Sequence, residues 1–191
     1  MQRDYQILII EDHPDQAHLM ELILRRHGQP FAVRIIHDPE EGLAWLKHNP
    51  VDALVLDYSL PKMSGLEVLQ HLKKEYPALP VIMVTGQGDE RIAVEAMRHG
   101  VYDYLVKTKD FLDLLPRVVT RAIEEQQLSS RLEQSEQRYF ALFDKAGIAI
   151  FIADADSYRL HQANGMALRL VGQPVEALLQ KSFLSICANR S

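Results

Sequence analysis

A regular beat limits what this chain can fold into. Short apolar runs alternate with amphipathic stretches. ILII (7–10) precedes Pro14 to His27, where Leu19, Leu22, Ile23 and Arg26 recur at helical spacing and Gly28 stops the helix. FAVRII (31–36) precedes Pro39 to His48, and DALVL (52–56) precedes Gly65 to Tyr76. PVIMV (80–84) precedes Asp89 to His99, closed by Gly100, and YDYLV (102–106) leads into a long helix near Pro116 and beyond. Central strands that are apolar throughout are covered on both faces, which is the habit of parallel sheets. Right-handed crossovers then predict an α/β fold, a five-stranded doubly wound parallel sheet over residues 1–125.

In such a sheet, ligands sit beyond the carboxyl ends of the strands. Those ends are Glu11-Asp12 after the first strand, Asp57 after the third, Thr85-Gly86 after the fourth and Lys107 after the fifth. Singly, each has an ordinary reading as a turn, cap or surface residue. Together they place three carboxylates, a hydroxyl and an ammonium at one edge. Carboxylates held together raise one another's pKa unless a cation shares the site. All-oxygen ligands suit Mg²⁺ (or Mn²⁺), which readily shares coordination with a phosphate. Asp57 then becomes a nucleophile toward phosphorus. Lys107 supplies a second positive charge, Thr85 a hydrogen bond, and Gly86 leaves room for the incoming group. Pro61 and Gly65 shape the loop behind Asp57, so that the backbone carbonyl near Ser59 faces the metal.

The residues now named resemble the receiver domain of two-component response regulators. The matching elements are Glu11-Asp12, the D-x-x-L-P-x-x-x-G stretch from Asp57 to Gly65, Thr85 followed by a small residue, and Y-L-V-K from Tyr104 to Lys107. The resemblance implies that Asp57 accepts phosphate from a histidine kinase or phosphotransfer protein. It implies self-catalysed transfer and slow autodephosphorylation rather than turnover as an enzyme. It also implies that Asp12 and Asp57 ligate the metal, with Glu11 acting through water. Thr85 and Tyr104 resemble the family's switch pair, and Ser59 and Gln87 occupy the positions that tune hydrolysis. One departure stands out. Thr108 replaces the family's usual proline after the lysine, which puts a cis peptide there in doubt.

After about Thr120 the beat ends. Residues 121–143 hold no proline or glycine, and Leu128, Leu132, Ser135, Tyr139 and Leu142 step by 4, 3, 4 and 3. This short heptad stripe predicts a helical linker over 126–142, either one amphipathic helix with a solvated face or a dimer-forming coiled coil. From Gly147 the texture changes. IAIFIAD (148–154) and YRLHQAN (158–164) read as strands, with helical pieces around MALRLV and VEALLQ. EQRYFALFDKAGIAIFIAD, HQANGMALRLVG and PVEALLQKSF resemble the opening half of a PAS domain. That family continues with further strands, so 143–191 reads as a truncated PAS-like α+β segment. Cys187 reads as a packing residue.

Composition narrows the function. A net charge of -5 gives no basic footprint for nucleic acid, and no helix-turn-helix pattern is visible. One cysteine excludes an internal disulfide and fits a reducing compartment. No run approaches the ~20 apolar residues of a membrane span, so a cytoplasmic protein is expected. An aspartyl-phosphate phosphatase wants a second aspartate where Ser59 stands. A flavodoxin-like nucleotide binder wants a Gly/Ser/Thr loop where the acidic EDHPD stands. A phosphorylation-independent scaffold is the remaining alternative. The expectation is a phosphoacceptor that signals through its C-terminal helix to a PAS-containing output, with a homodimer through the linker.

Overall fold

The computed structural model describes residues 3–86, 88, 90–179 and 181–188. The chain divides into two compact units, Met1–Ser129 and Ser130–Ser191, and the division falls within one long helix.

In the first unit, strands β1 (Tyr5–Ile10), β2 (Phe31–Ile36), β3 (Ala53–Asp57), β4 (Val81–Thr85) and β5 (Asp103–Val106) pair in parallel, in the order β2-β1-β3-β4-β5. Helices α1 (Pro14–Arg26), α2 (Pro39–Leu46), α3 (Gly65–Glu75) and α4 (Glu90–Arg98) make the crossovers, and α5 (Phe111–Lys145) follows β5. Strand period two sorts the side chains onto two faces. Ile7, Ile9, Val55, Ile82 and Val84 pack with Met20 and Leu24 of α1 and with Phe111, Leu115 and Val119 of α5. Leu8, Ile10, Leu54, Leu56 and Met83 face the other way, onto Val68, Leu69 and Leu72 of α3 and Ala96 of α4. Both faces are covered, as the unbroken apolar runs require.

Helix boundaries follow local chemistry. Asp38 caps α2 by accepting from the backbone N–H groups of Glu40 and Glu41. Ser64 and Glu67 form a reciprocal capping box at α3. Gly28 and Gly100 take positive φ, 86° and 80°, which lets the chain turn away after α1 and α4. The stretch expected as a helix to His48 stops at Leu46, because the Asn49 side chain donates to the Trp45 carbonyl. Pro116 lies inside α5 rather than before it; the Thr120 hydroxyl donates to the Pro116 carbonyl one turn on. The Lys107–Thr108 peptide is trans, as are all bonds among the described residues.

The second unit holds an antiparallel pair, β6 (Phe151–Ala153) and β7 (Leu160–Ala163), followed by α6 (Gly165–Val171), α7 (Val175–Leu178) and α8 (Phe183–Ala188). Both strands are shorter than the sequence suggested. Asp154 Oδ1 accepts from Asp156 N, Ser157 N and the Ser157 hydroxyl, which ends extended chain at that point. Asn164 is buried at the centre of this unit. Its side-chain oxygen accepts from Ile150 N and Ala167 N, and its amide donates to the Phe143 and Ile148 carbonyls. Every hydrogen-bonding position of that amide group is filled. The side chain of Cys187 lies outside the described residues.

Candidate phosphoryl and metal site

The strand order places β1 and β3 side by side at the centre, with their crossovers leaving in opposite directions. That is the switch point where open α/β sheets bind ligands. The register sets Ile10 beside Leu56 and Asp57 beside Val84, so the tips of β1 and β3 finish level. Glu11 N donates to the Ile36 carbonyl and Tyr58 N to the Val84 carbonyl, which anchors the backbone on either side of the site. Lys107 N donates to the Thr85 carbonyl and fixes the start of the loop after β5.

Glu11, Asp12 and Asp57 each place a carboxylate oxygen within 4.8 Å of the others. Glu11 and Asp57 are buried, at 0% and 2% exposure. The Lys107 ammonium bridges them, donating to Glu11 Oε2 at 2.7 Å and to Asp57 Oδ1 at 2.5 Å. Asp57 Oδ2 accepts from Ser59 N at 2.7 Å. Burial pushes the Glu11 pKa above its ordinary value, and the charge of Asp57 adds to the rise, while the Lys107 hydrogen bond opposes both. Three carboxylates against one ammonium leave an excess of negative charge in a partly buried place.

The donor set fits a hard divalent cation. Asp12 Oδ1 is buried and has no hydrogen-bond partner, and it is the sole such side-chain atom among the described residues. A buried carboxylate oxygen without a partner is costly unless a cation takes it. The ligands are all oxygen, which suits Mg²⁺ or Mn²⁺ over softer ions.

Gly65 has a positional reason. A Cβ there would fall on the carbonyl oxygen of Asp57 and 2.8 Å from the Cα of Tyr58. Any other residue would push the N-terminus of α3 away from the end of β3. The loop between them is also tied at Lys62, a left-handed residue with φ 68°, whose ammonium donates to Asp38 at 2.7 Å.

Thr85 ends β4 and is buried. Tyr104 pairs with Met83 in the sheet and packs, half-buried, against the cluster containing Met83 and Ala96. Ser59 lines the cleft beside Asp57. Gln87 lies outside the described residues. Gln16 was not foreseen; its side-chain oxygen accepts from Lys107 Nζ at 2.7 Å. The one sequence hint was that a lysine with three donors facing two carboxylates needs a third acceptor. The site opens through a cleft of about 460 Å³, whose apolar side is Leu19, Met20, Phe111 and Leu112.

A five-stranded β2-β1-β3-β4-β5 parallel sheet with an acidic cluster at its carboxyl edge defines a doubly wound α/β module. The family model described as the response regulator receiver domain matches residues 7–119, and the chain belongs to that family. It is 32% identical over 135 residues to the nitrogen assimilation regulatory protein NtrX of Azorhizobium caulinodans, covering 70% of this chain and 29% of that protein. The crystal structure of NtrX from Brucella abortus matches with a TM-score of 0.65 at 31% identity, over 71% of this chain and 31% of that one. A receiver domain protein from Clostridium thermocellum matches with a TM-score of 0.59 at 31% identity, over 65% of this chain and 98% of that one. The chain spans about a quarter of the length of the curated relatives it matches.

Proposed function

We propose that this chain accepts a phosphoryl group on Asp57 from the phosphohistidine of a histidine kinase or phosphotransfer protein. The observation that carries this reading is the pairing of Asp57 with Lys107 beside Glu11 and the unpartnered Asp12 oxygen.

The chain's own groups have distinct tasks. Asp57 offers a carboxylate oxygen to phosphorus. The Ser59 N–H holds the other oxygen and keeps the carboxylate plane fixed. Lys107 neutralises charge that gathers on the phosphoryl oxygens, the preorganised electrostatic help phosphoryl transfer depends on. Asp12 and Asp57 would hold Mg²⁺ or Mn²⁺, with Glu11 acting through water and the Ser59 carbonyl completing the protein ligands. A bound divalent ion supplies charge neutralisation to the transferring phosphoryl group. Thr85, at the tip of β4, would hydrogen-bond that group, and the Tyr104 ring would then turn inward. Ser59 and Gln87 would set the lifetime of the acyl phosphate.

The rest of the reading concerns output. Residues 1–125 act as receiver, 126–142 as linker and 143–191 as a PAS-like segment, with the signal passing along α5. The chain pairs through the exposed linker stripe and makes no direct contact with nucleic acid, which its acidic balance supports. The test is chemical. Acetyl phosphate with Mg²⁺ should add one phosphate to the wild-type chain and none to Asp57→Asn; phosphate retained by the variant would refute the assignment.

A further inference from the structure

An ammonium carries three N–H donors. Those of Lys107 point at three acceptors, namely Glu11 Oε2, Asp57 Oδ1 and Gln16 Oε1. None is left for an incoming phosphoryl group. If Lys107 is to touch that group, one acceptor must let go.

The three differ in what holds them. Glu11 and Asp57 are buried carboxylates, and hydrogen bonds between ions are the strong kind. Gln16 is neutral and exposed, in the first turn of α1, and it lines the cleft through which a phosphoryl donor must enter. Its amide can turn into water at little cost. It is therefore the weakest of the three ties and the one nearest the entrance.

We propose that Gln16 is a positioning residue of the phosphoryl site: its side-chain oxygen holds the third donor of Lys107 and competes with the incoming phosphoryl group for it. This rests on the reading of Asp57 as phosphoacceptor. In the step itself, an Asp57 carboxylate oxygen forms a bond to phosphorus. The bond from phosphorus to the acetate oxygen breaks, and acetate leaves with the electron pair. One Lys107 N–H moves its hydrogen bond from Gln16 to a phosphoryl oxygen, and no proton changes owner. Competition of this sort acts alike on bound donor and transition state, so it weighs on KM rather than on the maximal rate.

The test uses the full chain with saturating Mg²⁺. Gln16→Met keeps the length and helix preference of glutamine but lacks a strong acceptor. Losing one competing hydrogen bond should lower the KM for acetyl phosphate about fivefold, with the maximal phosphorylation rate unchanged. Gln16→Glu keeps an acceptor and adds charge to it, so its KM should rise above wild type. A second readout needs no phosphate. The ¹⁵N-labelled Lys107 ammonium, assigned by its loss in Lys107→Met, should exchange its protons with water faster in Gln16→Met than in wild type. An unchanged or raised KM in Gln16→Met, or an unchanged ammonium signal, overturns the proposal. So does a Gln16→Glu variant that behaves like Gln16→Met. A wild-type chain that takes no phosphate would instead sink the phosphoacceptor reading, and the competing role with it, while the ammonium signal still reports whether Gln16 holds Lys107.

Discussion

Glu11 has no exposed surface, yet it is ion-paired with the Lys107 ammonium that also holds Asp57. Its ionised form is disfavoured first by burial and then by Asp57, and Lys107 only partly offsets them. A folded-state pKa raised above the unfolded value gives stability that is present at low pH and lost as pH rises through the raised value. The metal-free wild type should therefore lose stability relative to Glu11→Gln as pH climbs from the ordinary value of 4.5. The gap should narrow when Mg²⁺ is added, because the ion favours the charged form. Thermal melts of both proteins across pH, with and without Mg²⁺, check this; a gap independent of pH would contradict it. At this scale the strand-tip residues were legible, because each one ends an apolar run. Gln16 was not, since its role depends on how far the Lys107 side chain reaches across the β1–α1 connection. Nor was the reason for Gly65. The motif marked a turn glycine, while the structure requires it for the close approach of α3 to the Asp57 carbonyl.

Among elements, α5 carries the most varied work. Its first turns close the α1 face of the core through Phe111, Leu115 and Val119. Further on, Leu128, Leu132 and Leu142 stand 70%, 61% and 69% exposed. Exposed leucines at heptad spacing fit a helix that pairs with a second copy. Tyr139, fourth in that stripe, is partly engaged elsewhere, stacking on Phe143 and donating its hydroxyl to Gln162 of β7. Pairing should therefore depend on the leucines. Replacing Leu128 and Leu132 together with glutamate should weaken self-association at least about tenfold, some 1.4 kcal/mol, in sedimentation equilibrium of the full chain. Unchanged association would remove the coiled-coil proposal. The period of the stripe was readable in sequence. The bond from Tyr139 to Gln162 within the second unit was not, because it depends on where β7 lies.

For the molecule as a whole, two compact units share one helix, and only the first falls within the family match. The alternation of apolar runs and helices was enough to predict the layers and parallel pairing of the first unit, because each run is short, apolar throughout and closed by its own stop signal. The second unit was harder to read. Its strands are short, and the buried Asn164 side chain ties together segments far apart in sequence through three hydrogen bonds, to Ile150, Ile148 and Phe143, with a fourth to Ala167 at the start of α6. The central claim concerns one carboxylate, and borohydride trapping tests it most directly. After reaction with acetyl phosphate and Mg²⁺, reduction converts an aspartyl phosphate into homoserine and a glutamyl phosphate into 5-hydroxynorvaline, which peptide mass spectrometry locates. The account predicts homoserine at position 57, absent when Mg²⁺ is chelated. Homoserine at Asp12 or another aspartate, 5-hydroxynorvaline at Glu11, or no reduced residue at all, would contradict it.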